Sequence, residues 1–174
     1  GQVLAAAGRP NGQIRFGADI LSRIHHAVRG GAAELQQTVL ADINGLAGEL
    51  AAAAAISPEE IRALAVAGNT TMAHLFLGLD PGQLCREPYI PQANTVEPFA
   101  AAELRLALHP AAPVWVLPNV GSYFGGDLIA GILATDLWQR EKVAMLIDVG
   151  TNAEVVIGNR DWLMACAGAA GPAL

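Results

Sequence analysis

Residues 143–158 read Val-Ala-Met-Leu-Ile-Asp-Val-Gly-Thr-Asn-Ala-Glu-Val-Val-Ile-Gly, two apolar runs separated by a short polar turn. Apolar runs this short, divided by turn-forming residues, read as strands rather than helices. The chain must therefore close a β-hairpin here. The first strand ends in a carboxylate, followed at once by a glycine and a hydroxyl. That order aims Asp148 and several backbone N–H groups at one point, where a phosphate or its magnesium ion can sit. The same residues also make an ordinary polar hairpin turn, and taken alone they leave both readings open. Few residues follow the second run, and a complete nucleotide pocket is not expected from them.

Upstream of the hairpin, strands alternate with helices, the pattern of an α/β fold. Val3–Ala7 is an apolar segment stopped by Gly8-Arg9-Pro10-Asn11-Gly12 and reads as a strand. Ile20, Leu21, Ile24, Ala27 and Val28 follow helical spacing until Arg29-Gly30-Gly31 interrupts it. A long alanine-rich helix is expected from Ala32 to about Ala55. Ser57-Pro58-Glu59-Glu60 is a capping box that opens a short helix. Residues 63–67 read as a buried strand, Gly68-Asn69-Thr70-Thr71 as a turn into a helix over 72–79, and Asp80-Pro81-Gly82 as its end.

Four prolines in 81–98 forbid regular helix or central strand there, so an extended surface loop is expected. A helix over 97–108, a strand over 113–118 and a helix over 126–139 follow. Hairpin strands at 143–147, 154–158 and 162–166 then replace the strand–helix alternation. The charged run Gln139-Arg140-Glu141-Lys142 marks the boundary, which gives two regions, 1–139 and 143–174.

Composition narrows the function classes. Apolar residues make up 53% and charged residues 15% of the 174, so a large core is expected. With 10 Lys and Arg against 16 Asp and Glu, the chain lacks the basic surface that nucleic-acid binding requires. No apolar stretch approaches the roughly 20 residues of a membrane span, and no signal peptide opens the chain. A cytoplasmic protein is expected. Cys85 and Cys166 are far apart and lack metal-ligand spacing, so neither a disulfide framework nor an iron–sulfur site is read. The adjacent His25 and His26 point to different sides of a helix, and His74 and His109 stand alone; all four read as core or surface residues.

Three segments can carry chemistry. The first is Asp148 to Glu154. In the second, Gly68 to Thr71, free N–H groups at a helix start attract an anion, although capping by Asn69 or Thr70 explains the same residues. The third, Asn119 to Asp127, holds Gly121, Gly125 and Gly126 and serves either a ligand or tight packing. Its spacing is not that of a dinucleotide-binding fingerprint.

The strings Phe-Gly-Ala-Asp-Ile-Leu-Ser-Arg-Ile (16–24), Val-Ala-Gly-Asn-Thr-Thr-Met-Ala-His-Leu-Phe-Leu-Gly (66–78), Pro-Tyr-Ile-Pro (88–91), Pro-Asn-Val-Gly-Ser-Tyr-Phe-Gly-Gly-Asp (118–127) and Leu-Ile-Asp-Val-Gly-Thr-Asn-Ala-Glu (146–154) occur in this order. Together they resemble the reductive activators of corrinoid proteins. Those are iron–sulfur ATPases of the superfamily of acetate and sugar kinases, heat-shock chaperones and actin. The resemblance implies an incomplete ribonuclease H-like (actin-like ATPase) subdomain with a mixed sheet and flanking helices over 1–139, followed by the first three strands of a second such subdomain.

It also implies ATP and Mg2+ as ligands of the whole protein, a [2Fe-2S] cluster on a module outside this chain, and a corrinoid protein of a methyltransferase system as partner, raised from Co(II) to Co(I). On that reading Asp148, Gly150, Thr151 and Asn152 contact phosphate or magnesium, with Asp148 the metal ligand and Glu154 an orienting carboxylate. Gly68, Asn69, Thr70 and Thr71, together with Asn119 to Asp127, line the cleft or its partner face. The family's first phosphate hairpin is expected upstream of Gly1 and its adenosine-binding glycines downstream of Leu174. This chain alone is then expected to be inactive, to hold no cofactor tightly, and to self-associate through unpaired sheet edges. Two other readings remain: a module that docks the corrinoid partner through 81–98 and 119–127, and part of a small-metabolite kinase.

Overall fold

The structure is a computed structural model that describes residues 1–150 and 152–169. Val3–Ala7 is not a strand. Val3 and Leu4 are 84% and 70% exposed, and no described strand runs beside them to take up their backbone hydrogen bonds. An apolar run without a partner cannot build a ladder.

Helix α1 (Ile20–His26) starts at Asp19, whose carboxylate accepts from the N–H and the hydroxyl of Ser22. The expected interruption is a wide helical turn over Ala27–Gly31 in which Gly30 takes a φ of 103°. Helix α2 (Ala32–Ala53) follows and buries Leu35, Thr38, Ala47 and Ala51. The Ser57 box forms as read: the Ser57 side chain accepts from the Glu59 N–H, and Glu60 accepts from the Ser57 N–H. It closes a single 3-10 turn.

Strand β1 (Leu64–Val66) is half-buried rather than buried, because it lies at the edge of its sheet. Asn69 then caps α3 (Thr70–Leu77) by accepting from the Met72 N–H at 2.9 Å. The helix stops at Gly78, ahead of the Asp80-Pro81-Gly82 expected to end it. Gly78 takes a φ of 73°, which an L side chain rarely tolerates and glycine does.

Residues 81–98 form the extended loop that the prolines dictate, apart from one 3-10 turn at Gly82–Cys85. His74 ties this loop to α3. Its Nδ1–H donates to the Thr70 carbonyl at 2.8 Å, and its Nε2 accepts from the Gln92 N–H at 3.1 Å. Burial pushes the His74 pKa down, in keeping with this neutral tautomer.

The helix expected over 97–108 does not form. Strand β2 (Phe99–Ala100) pairs instead with β3 (Pro113–Val116), and Arg105 turns the chain with a φ of 53°. Asn44 of α2 braces the turn, donating to the Arg105 carbonyl at 3.2 Å and accepting from the Ala107 N–H at 2.7 Å. The irregular path delivers Ala101, Leu106, Leu108 and Ala112 to one core with Phe76 and Val114. That burial outweighs helix propensity.

The first sheet has the order β1-β3-β2, with β1 and β3 parallel and Val66 opposite Val116. Helix α4 (Gly126–Ala134) is shorter than expected because Asp136, at a φ of 53°, breaks it before a 3-10 turn at Leu137–Gln139. The second sheet is an antiparallel meander of β4 (Ala144–Val149), β5 (Asn152–Asn159) and β6 (Trp162–Ala169). Leu128, Leu137 and Val156 form a separate core that fixes α4 and its following turn to the inner face of this sheet. The strand ends of one sheet are thereby held against the hairpin of the other.

Candidate functional site

In the hairpin, Asp148 and Glu154 are direct cross-strand partners, on the same face as the paired Leu146 and Val156. The Gly150 N–H donates to the Asn152 carbonyl at 2.8 Å and closes the turn. Like charges directly opposite each other destabilise a sheet, so this pair opposes folding and points to a job other than folding.

A third carboxylate faces the pair. Asp127 sits in the first turn of α4, where its Oδ1 accepts from the Leu128 N–H at 2.9 Å and its own N–H donates to the Gly68 carbonyl at 3.3 Å. Burial, and secondarily the Asp148 charge, push its pKa up. The Glu154 pKa is also raised, first by burial and then by Asp148 and Asp127. Asp127 and Glu154 thus meet a field that favours a bound proton or cation.

These groups border a cavity of about 580 Å³, within the size range of small-ligand pockets. Asp127, Asp148, Gly150, Asn152 and Glu154 form one wall, with Asn69 and Thr71 at the start of α3 beside them. Arg23 of α1 and its N-cap Asp19 also line the cavity, as do Tyr89 and Tyr123, whose ring centroids are 6.0 Å apart.

Of the residues expected at the site, Asp148, Gly150, Asn152, Glu154, Asn69 and Thr71 share this cavity. Gly68 and Thr70 are not in its wall. The Gly68 carbonyl accepts from Asp127, and the Thr70 hydroxyl donates to the Gly121 carbonyl at 3.0 Å, so both fasten the two loops together. Thr151 lies outside the described residues. Asp127 lies in the segment 119–127 expected at the cleft or its partner face, though no role was assigned to its carboxylate; Arg23 was not among the expected site residues. The signal for Asp127 was a carboxylate opening a helix after two glycines; Arg23 lies in the family-like string 16–24, but nothing local there marks it as buried or as facing a ligand.

Among the described residues no three His, Cys, Asp or Glu side chains close into a metal cage. A magnesium ion does not need one, since it is commonly held by one or two carboxylates together with phosphate oxygens and water. Asp148 with its carboxylate neighbours is a donor set of that hard-oxygen kind. The two cysteines, Cys85 and Cys166, are free and exposed and cannot supply the four thiolates of a [2Fe-2S] cluster. Among the described residues no helix is long and apolar enough to cross a membrane.

A family model described as the RACo middle region matches residues 1–140. The chain belongs to this family. The model of the C-terminal domain of RACo, the ASKHA domain, matches residues 142–174 of this RACo-family chain. Among curated proteins, the corrinoid activation enzyme RamQ of Eubacterium limosum is 31% identical over 166 residues, which are 94% of this chain and 28% of that protein. A solved structure titled reductive activator for corrinoid, iron-sulfur protein superposes with a TM-score of 0.93 at 43% identity, over 98% of this chain and 28% of that one. The chain thus spans little more than a quarter of the length of either relative. The mixed first sheet with its flanking helices, followed by the antiparallel strands of the second region, has the actin-like α/β fold of the family.

Proposed function

We propose that this RACo-family chain supplies the phosphate-facing half of an ATP cleft in a cytoplasmic reductive activator of corrinoid proteins. The observation that carries the reading is the pair Asp148 and Glu154, opposed across the hairpin turn with Asp127 facing it. A site that repels protein charge in this way is stabilised by a divalent cation and the phosphates it brings. Mg2+ would supply charge neutralisation of the phosphate chain, with Asp148 as its holder.

The residues of the chain divide the remaining work. Gly150, which carries no side chain, leaves phosphate oxygens room at the turn, Asn152 presents its side-chain amide donor, and Asn69 and Thr71 line the adjoining wall. Asp127, with its raised pKa, is suited to orient and deprotonate a water at the cavity. In the whole protein, ATP hydrolysis would accompany transfer of one electron from a reduced [2Fe-2S] cluster, on a module outside these residues, to cobalt, converting Co(II) to Co(I).

The test is Asp148→Asn in the full-length protein. ATP turnover and ATP-dependent Co(I) formation, followed by corrinoid absorbance, are expected to fall to background while the unfolding midpoint is unchanged or raised. Undiminished ATP turnover would sink the reading.

A second reading has its own observation. Tyr89, Ile90, Val120 and Tyr123 are all exposed, and Tyr89 and Tyr123 line the cavity, an apolar and aromatic surface suited to docking the corrinoid partner. Tyr89→Ala or Tyr123→Ala should then weaken partner capture without changing ATP turnover. The outer face of the second sheet also exposes Met145, Ile147, Val149 and Met164. The isolated 174-residue chain would self-associate through its unpaired sheet edges, with this face adding apolar area; a monomer in sedimentation at high concentration would remove that assignment.

A further inference from the structure

Arg23 is the one cation in the wall of the cavity among the described residues, and no carboxylate pairs with it: Asp19, which also lines the cavity, has both its oxygens engaged by the N–H and hydroxyl of Ser22. Only 8% of its surface is exposed. Its Nε–H donates to the Gly17 carbonyl at 3.0 Å, one terminal nitrogen reaches the Met72 sulfur at 3.3 Å, and the other lies 3.5 Å from the Ala18 carbonyl. Among the described residues no carboxylate lies within 4.0 Å of it; every ion pair involves other residues.

A guanidinium stays charged at any ordinary pH and carries five N–H donors in a rigid fork. Here one donor has a good acceptor, one has a weak thioether acceptor, and one makes a contact at the limit of a hydrogen bond. Burying a charge in this state is costly, and an isosteric apolar side chain would commonly do as well or better for stability. Folding alone therefore gives no reason for an arginine at this position. The carboxylates that line the cavity offer no direct partner within 4.0 Å, and Asp127, Asp148 and Glu154 attract cations instead.

We infer that Arg23 is an anion receptor: its guanidinium grips a phosphate group entering the cavity, while the Asp148 wall holds the accompanying divalent cation. The inference rests on the reading of the cavity as a nucleotide cleft and deepens it, assigning to α1 the grip on the phosphate side remote from the metal. Guanidinium geometry matches two phosphate oxygens at once, which a lysine ammonium does not.

The experiment uses the full-length protein with Mg2+ and inorganic tripolyphosphate as probe, and Mg-ATP in parallel, read by calorimetry and by unfolding midpoints with and without probe. Arg23→Met is expected to unfold no earlier than the parent without probe, and to bind tripolyphosphate roughly 10- to 100-fold more weakly, the equivalent of one charged hydrogen bond. Arg23→Met that folds and binds with parental affinity overturns the inference. Should Arg23→Met fail to fold, Arg23→Lys decides: weaker binding at an unchanged probe-free midpoint supports it, and parental affinity overturns it. Asp148→Asn separates the two claims. If that variant loses tripolyphosphate while Arg23→Met keeps it, the arginine assignment alone falls; if the parent binds neither probe, the nucleotide reading falls with it.

Discussion

Gly125→Ala and Gly48→Ala make the same chemical change, and the structure assigns them opposite signs. A methyl group on Gly125 would lie 2.5 Å from Asn69 Cα, 2.8 Å from the Gly68 carbonyl oxygen and 2.6 Å from Asp127 Oδ1. The first two are backbone atoms and cannot swing aside. Restoring ordinary contact requires the loop before α3 and the loop before α4 to part by roughly 1 Å. Overpacking of this kind costs about 1–3 kcal/mol, or an unfolding midpoint lower by about 3–10 °C for a chain of this size. The backbone at Gly125 has a φ of -85°, so strain in φ contributes nothing. Gly48, inside α2, has nothing within 4 Å of the added methyl. Its replacement removes the glycine penalty of a helix interior and adds about 0.5–1 kcal/mol of stability. Thermal and urea unfolding of the two variants measures both signs. Because Asn69 and Asp127 both line the cavity, a displacement near 1 Å in Gly125→Ala should also lower ATP turnover of the full-length protein on the order of 10²-fold. A Gly125→Ala protein as stable and as active as the parent would refute the claim that these loops are in close contact.

Other consequences can be measured in the same variants and assays. Val156→Ala empties a fully buried position between Leu128 and Leu137 and should cost about 2–3 kcal/mol in urea unfolding; a loss below about 0.5 kcal/mol would mean that α4 is not anchored to the second sheet there. The raised pKa values of Asp127 and Glu154 mean that the folded state holds more protons than the unfolded chain just above the ordinary carboxylate range. Their contribution to stability is therefore present at low pH and lost as pH rises through the raised values. Asp127→Asn and Glu154→Gln should flatten that fall, as should millimolar Mg2+, and an unchanged slope in all three tests would count against the carboxylate cluster. His74 works in the other direction: its lowered pKa gives stability present above the ordinary histidine range and lost as pH falls through it toward the lowered value. Nitrogen NMR should show the Nδ1–H tautomer titrating below a free histidine, and an Nε2–H ring would contradict the Gln92 hydrogen bond.

The parts of the fold legible in the sequence are those whose turns carry their own chemistry. Ser57-Pro58-Glu59-Glu60 states both halves of a capping box within four residues, and Asn69 needs only the Met72 N–H three residues on. The Asp148 hairpin closes with partners two residues apart. Elements that depend on distant partners were misread. The run Val3–Ala7 has strand composition and no strand beside it, while residues 97–108 have helical composition but are drawn into β2 and an irregular path by Val114 and Asn44. The actin-like resemblance supplied what local chemistry could not, the expectation that separate strand ends and helix starts face one cleft.

The same distinction explains what was missed at the site. Asp127 was visible as a helix-opening carboxylate, but its charge acquires meaning only from Asp148 and Glu154, which a different sheet brings to it. Arg23 reads in sequence as one polar residue on a short amphipathic helix, a position normally solvated. Its burial follows from the Gly17 carbonyl and the Met72 sulfur, the second contributed by a helix 49 positions away. A residue buried by distant partners and left without a counter-charge has no local signature. It can be recognised only by asking which interactions of the folded chain remain unpaired, and in this cavity the answer is complementary: Asp127, Asp148 and Glu154 without a cation, and a guanidinium that no carboxylate pairs. A metal–phosphate ligand satisfies both at once.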